Sequence, residues 1–134
     1  MTFQLFVILA VGVCAALAST LAQRRALELY WSRSCQGAQW KRAFPEASST
    51  DIRLFLNIFT SSFGLHSRHR LKFAPSDGIM LIYRANSPVQ GVDALELESF
   101  GKALECQYHF SLERSMHPGL TLGELFAKVH GVAP

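Results

Sequence analysis

The stretch GVDALELESFGKALECQYHF, residues 91–110, carries the clearest structural pattern in the chain. Asp93 is a good helix N-cap, and Glu96 follows three residues later, where a capping box places an acidic residue. Large apolar and aromatic residues then recur at helical spacing: Leu97, Phe100, Leu104 and Tyr108. The pattern predicts an amphipathic helix that turns one face to a core and keeps its acidic residues off that face.

Two more stretches predict helices of the same kind. Residues 51–62 follow the cap candidates at 48–50, precede Gly64, and begin an apolar stripe of Ile52, Phe55, Leu56, Phe59 and Phe63. Residues 120–131, LTLGELFAKVHG, contain the capping box Thr121 and Glu124 and end at Gly131. We therefore predict an all-α domain of three to four short helices over residues 50–134. The short apolar run at residues 79–85 fits a strand or a helix equally well.

The N-terminal stretch is the most apolar part of the chain. Residues 3–21 contain no charged residue, and at about 1.5 Å per residue they nearly cover a hydrocarbon core of about 30 Å. Basic residues follow this stretch and none precedes it. The sequence thus predicts a transmembrane anchor at 1–22, a basic juxtamembrane segment at 23–49, and a single-pass protein of the inner or plasma membrane whose domain faces the cytoplasm.

A cleaved signal peptide is the alternative interpretation of the same stretch. Ala16-x-Ala18 resembles a cleavage site, although residues 2–18 lack the basic start of a secretory leader. Cleavage would leave a periplasmic or secreted small helical protein, an accessory or immunity-type binding protein. In that case Cys35 and Cys106 could form a disulfide, whereas a cytoplasmic domain keeps them as free thiols.

Charge is distributed unevenly along the chain. Residues 1–84 contain ten basic and four acidic residues, a balance of +6, and residues 85–134 contain three basic and six acidic residues, a balance of −3. The basic residues Arg24, Arg25 and Arg33 beside the apolar stretch predict contact with anionic lipid headgroups. No nucleic-acid-binding motif is present, and the basic residues are not interleaved with exposed aromatic residues, so we expect no nucleic-acid partner.

Motifs of the common enzyme classes are absent from the sequence. Cys106 and His109 are three residues apart, but no residue that would orient such a pair is identifiable. His66 and His69 lie in a basic stretch without a nearby carboxylate or thiolate to complete a metal site. We predict no catalytic and no metal-binding residues.

Residues 93–129, DALELESFGKALECQYHFSLERSMHPGLTLGELFAKV, resemble the second half of an acyl carrier protein. That family has Asp-Ser-Leu at the start of its second helix, an acidic helix ending in Leu-Glu-x-x-Phe/Tyr, an aliphatic residue four positions later, and a Thr-rich cap before the last helix. The corresponding positions here are Asp93-Ala94-Leu95, Leu104-Glu105-x-x-Tyr108, Leu112 and Thr121. With residues 51–62 as the first helix, the resemblance covers roughly residues 50–130.

Ala94 departs from the family at the decisive position. Carrier proteins attach phosphopantetheine through the serine hydroxyl, and a methyl group offers no oxygen, so we predict no cofactor. The resemblance implies that the acidic surface still binds a partner protein with a basic patch, through Asp93, Glu96, Glu98 and Glu105; a merely solvated helix face is the alternative. The predicted function is that of a membrane-anchored, non-catalytic protein that acts through protein–protein contacts.

Overall fold

The computed structural model describes residues 2–86 and 95–131, except for the side chains of residues 19, 20 and 22–24. The described chain is helical and contains no strand, only an isolated bridge between Gly78 and Thr121. Its elements are α1 (Thr2–Trp31), α2 (Gly37–Ala43), α3 (Ser49–Ser62), a 3₁₀ helix (Ser67–Lys72), α4 (Ile79–Asn86), α5 (Leu95–Tyr108) and α6 (Leu122–His130). The prediction of an all-α domain is confirmed, and residues 79–85 are helical.

Helix α3 begins where the sequence predicts a cap. The Ser48 hydroxyl accepts a hydrogen bond from the Asp51 N–H at 3.0 Å, which satisfies one of the free donors of the first turn. The predicted apolar stripe is buried along its whole length. Gly64 follows the helix with a φ of +67°, a conformation that favours glycine. Through the stripe α3 packs against the 3₁₀ helix and α5, and it forms the centre of the fold.

Aromatic side chains fill much of the core. The Trp40 ring lies 5.7 Å from Phe126, and the Phe126 ring lies 4.8 Å from Phe44 and 5.4 Å from Phe55. Trp40 is fully buried, and its indole N–H donates to the Phe73 carbonyl at 2.8 Å, so its polar atom is satisfied in the core. The segment predicted as juxtamembrane, residues 23–49, therefore contributes large side chains to the core of the domain.

The start of α6 is tied to the segment before α4. Backbone hydrogen bonds join Ile79 N–H to Leu120 O at 3.0 Å and Leu122 N–H to Asp77 O at 3.0 Å. A Cβ atom on Gly123 would lie 2.9 Å from both the Cβ and the carbonyl oxygen of Pro75, closer than real contacts allow. Glycine is therefore required where the first turn of α6 meets this segment.

Helix α1 ends earlier than the sequence suggests. A helix from residue 23 to about residue 40 is predicted, but α1 ends at Trp31 and α2 begins at Gly37. The break lets Trp31 stack on His69 at 4.2 Å between ring centroids, and it lets the Gln36 N–H donate to Leu71 O at 2.7 Å. The end of α1 is thereby packed on the 3₁₀ helix.

The N-terminal part of α1 projects without a cover from the described chain. Large apolar side chains between residues 3 and 21 are 47–79% exposed. Among the residues that the structure describes, no helix is both long and apolar enough to cross a membrane. This finding overturns the predicted transmembrane helix at 1–22.

Candidate functional site

A groove runs between α5 and the chain that follows it. Its volume is about 580 Å³, which lies within the range of roughly 300–1,000 Å³ usual for ligand-binding clefts. We call it the α5 groove; its lining residues are Leu97, Glu98, Gly101, Lys102, Glu105, Ser111, Leu112, Glu113 and Met116. Apolar side chains and charged side chains thus line one surface.

The positions along α5 explain which residues reach the groove. Lys102 follows Glu98 by four residues, and Glu105 follows Lys102 by three. The helical repeat of 3.6 residues per turn therefore places these three side chains on one side of α5. Phe100 and Leu104 lie on the opposite side and are fully buried in the core. Because Phe100 and Leu104 anchor α5 in the core, the exposed carboxylates on the other side of the helix are held in position.

The second wall forms because the chain reverses at the end of α5. His109 adopts a φ of 54°, in the left-handed region, and its N–H still donates to Glu105 O at 2.9 Å. The reversed chain then buries Leu112 beside Gly101, where a Cβ would meet the Leu112 Cβ at 3.8 Å. The next residue, Glu113, is exposed on the groove. The wall therefore approaches the helix closely at residue 101, where an added Cβ would make an ordinary van der Waals contact with Leu112.

The charge of the groove is negative. Its three carboxylates, Glu98, Glu105 and Glu113, are all exposed, and the single basic residue is Lys102. Within residues 2–86 and 95–131, none of these four side chains forms a hydrogen bond or an ion pair. The groove is therefore a partly apolar surface bordered by three carboxylates and one ammonium group, none of which forms an ion pair with the described chain.

The structure brings together only part of the predicted partner-binding set. Glu98 and Glu105 line the groove, whereas Glu96 is half-buried and is turned about 200° around α5 from Glu98, at about 100° per residue. Asp93 and Ala94 lie outside the described residues. The sequence analysis missed Glu113, although the predicted aliphatic position at Leu112 directly precedes it.

The predicted membrane-proximal basic residues differ in their surroundings. Arg25 is exposed on α1, and the side chain of Arg24 is outside the description. Arg33 instead donates to the Asp77 carboxylate at 2.7 Å and to Lys72 O at 3.4 Å, and its guanidinium lies 4.8 Å from the centre of the Tyr30 ring. We call these four residues, Tyr30, Arg33, Lys72 and Asp77, the Arg33–Asp77 cluster.

The pKa shifts in the cluster arise from burial and from contacts within the cluster. The hydrogen bond to Asp77 raises the pKa of the Arg33 guanidinium, and burial raises the pKa of the Tyr30 phenol, with Asp77 adding to that rise. The buried Asp77 side chain also accepts the Ala74 N–H at 2.6 Å, and the Lys72 ammonium donates to the Arg33 carbonyl. The charges of this region satisfy one another.

Among the described residues, the candidate histidines and cysteines have separate surroundings. His66 accepts the Arg68 N–H through Nδ1, and His69 stacks on Trp31, so both imidazoles have structural contacts. Cys106 is an exposed free thiol, as is Cys35. In the part of the chain that the structure describes, no three His, Cys, Asp or Glu side chains are grouped so as to hold a metal ion.

Comparison with known proteins leaves the chain without an assigned family. No protein-family model matches it, and no curated protein or solved structure is significantly similar to it.

Proposed function

We propose that the protein is a non-catalytic adaptor with a degenerate acyl-carrier-like domain, and that the carboxylates of the α5 groove bind a partner protein with a basic patch. One observation carries the proposal: Glu98 and Glu105 lie together, face Glu113 across the groove, and form no ion pair with a described residue. Unpaired charges of one sign favour a partner of opposite sign, and such complementarity sets the orientation and rate of association.

The order of helices supports the acyl-carrier-like part of the proposal. Within the part that carries the resemblance, helix α3 is followed by the 3₁₀ helix and α4, then by the acidic helix α5 and by α6 with its Thr121 cap. In this scheme Ala94 removes the attachment point of the prosthetic group. Coexpression with a phosphopantetheinyl transferase should leave the intact mass of the protein unchanged. A mass increment of the prosthetic group would contradict the non-carrier role and point to another serine.

The partner contact is tested by affinity capture from cells of the source organism. We expect the wild-type chain to retain a protein with a basic surface patch and the Glu98→Lys, Glu105→Lys double variant to lose it. Added salt should weaken the capture, because solvent-exposed charges are screened. Undiminished capture by the double variant, with the same thermal stability as wild type, would contradict the proposal.

A second proposal concerns the exposed apolar part of α1. We propose that it associates with lipid, since a contiguous apolar surface of this kind requires an apolar partner. The full chain should float with liposomes in a density gradient, and the Ile8→Lys, Val11→Lys double variant should remain at the bottom. Leu81→Lys is the control, because Leu81 is an exposed apolar residue of the folded domain. Equal flotation of all three proteins would refute the assignment of the lipid contact to this part of α1, and a wild-type chain that stays at the bottom would refute lipid association.

The proposed contact surface is the same whether the protein is exported or cytoplasmic, so its location needs a separate test. In the cytoplasmic proposal a C-terminal reporter is active only inside the cell; in the exported alternative, an accessory or immunity-type binding protein, it is active outside. Reporter fusions of both kinds to the full chain therefore separate the two.

A further inference from the structure

The α5 groove combines two kinds of surface that act on different parts of one ligand. Its apolar residues, Leu97, Leu112 and Met116, are half-buried or buried, so they form a base that a hydrocarbon chain can cover. Its carboxylates are exposed at the border. A purely apolar ligand would cover the base and leave the carboxylates unused, and a simple cation would do the reverse.

Lysine and arginine side chains match both surfaces at once. Each has a flexible hydrocarbon stem that packs on apolar surface and a charged head that stays at the solvent boundary. We propose that the groove receives a cationic amphipathic segment of the partner protein, with the stem of a lysine or arginine on Leu112 and Met116 and its head among Glu98, Glu105 and Glu113. This inference rests on the proposed function, and it gives the chemistry of the partner and the place of contact.

Charge complementarity selects this occupant over an acyl chain. Three carboxylates and one ammonium group border the groove, so a cationic segment gains attraction on entry, whereas the carboxylate of a fatty acid would be repelled. Lys102 is the one groove residue that opposes the proposed ligand. Its removal should therefore strengthen binding, an effect that general loss of structure would not produce.

The experiment measures binding of a short fluorescent peptide of lysines and leucines at helical spacing to the full chain by anisotropy. The control peptide carries glutamate in place of each lysine. Glu98→Lys, Glu105→Lys and Glu113→Lys should each weaken binding of the cationic peptide by about tenfold, and Lys102→Ala should strengthen it by about threefold. Met116→Ser should weaken binding without changing its salt dependence.

Glu96→Lys is the matched control variant. It changes the charge of the same helix by the same amount, but Glu96 is not part of the groove, so we expect less than about a twofold effect. Circular dichroism and thermal melting establish that each variant is folded. Should a lysine variant melt early, the corresponding glutamine variant replaces it, with a smaller expected loss.

Each result decides between the inference and the wider proposal. Equal losses from Glu96→Lys and Glu98→Lys would overturn the groove as the contact while leaving a charge-dependent adaptor in place. A fatty acid, dodecanoate, is tested as a third ligand. If both peptides bind equally, or if dodecanoate binds and the cationic peptide does not, the cationic segment is not the occupant of the groove. Failure of the proposed function has a different signature: the groove variants leave capture of the cellular partner unchanged.

Discussion

The Arg33–Asp77 cluster and the α5 groove are two charged regions of one small domain, and their charges are arranged in opposite ways. In the cluster, Arg33 and Asp77 bind each other and the backbone around them. In the groove, Glu98 and Glu105 face solvent and form no ion pair with a described residue, although Lys102 lines the same surface. The first region thus joins two parts of the fold, whereas the carboxylates of the second form no ion pair with the described chain and, in our proposal, meet a partner protein.

The largest effect should come from Asp77→Ala. The substitution leaves the Ala74 N–H and the Arg33 guanidinium without their acceptor, at a buried position. We expect a loss of about 2–4 kcal/mol in the free energy of unfolding, measured by urea denaturation. Glu98→Ala is the matched control and should cost less than about 0.5 kcal/mol. Similar losses in both variants would remove the distinction between the two regions.

A smaller effect is expected for Arg33→Met. Methionine keeps much of the apolar contact with Tyr30 but removes the ion pair, and the Arg33 side chain is 33% exposed, so solvent screens part of the attraction. We expect a loss of about 1 kcal/mol by urea denaturation, and less than about 0.5 kcal/mol for the control Arg25→Met on the exposed surface of α1. An Arg33 variant as stable as the Arg25 variant would show that the cluster contributes nothing to stability.

The pH dependence of stability should report on His69, beside the cluster. Burial lowers the pKa of the His69 imidazole from its usual 6.5, and the nearby Arg68 adds to this effect. The unfolded chain therefore binds the proton more readily than the folded chain. The stabilisation is fully present above about pH 6.5 and is lost as the pH falls through the folded-state pKa.

The His69→Asn variant isolates this contribution from that of the other histidines. Urea midpoints of the two proteins should change by different amounts between neutral and mildly acidic pH, and the wild type should lose more. Parallel changes in both proteins would assign the pH dependence elsewhere.

The smallest effect on stability should come from the groove. The combined Glu98→Gln, Glu105→Gln and Glu113→Gln variant removes like charges from one surface, so its melting temperature should equal that of wild type or rise slightly at low salt. The expected change in free energy is within about 0.5 kcal/mol, measured by calorimetry. A clear loss would mean that these carboxylates support the fold.

Local sequence patterns predicted the helices well because caps and apolar stripes are local. Ser48, Thr121 and Gly131 mark helix ends in the structure as they do in the sequence. The predicted stripe of α3 is buried. Tertiary contacts were harder to predict: the stacking of Trp31 on His69 joins residues far apart in sequence, and Trp40 reaches the core from the segment predicted as juxtamembrane.

The sequence predicted two of the three acidic residues that line the α5 groove, Glu98 and Glu105, but not Glu113. Helical spacing alone places Glu98 and Glu105 together and separates Glu96 from them. Glu113 joins them only because the chain reverses at His109, whose left-handed backbone conformation is unusual for a residue other than glycine. From the sequence, Arg33 was predicted to contact lipid headgroups. In the structure it forms an ion pair with Asp77, which is 44 residues away in the sequence and could not be identified as its partner from local patterns.

The bridge between Gly78 and Thr121 holds the chain that follows the α5 groove against the segment before α4. The outer wall of the groove is fixed at its far end only when Leu120 and Leu122 bond to the segment before α4. Without α6 this wall would have one free end, and Phe55 would lose its ring contact with Phe126. A chain truncated before α6 should therefore lose the order of this wall as well as the helix itself.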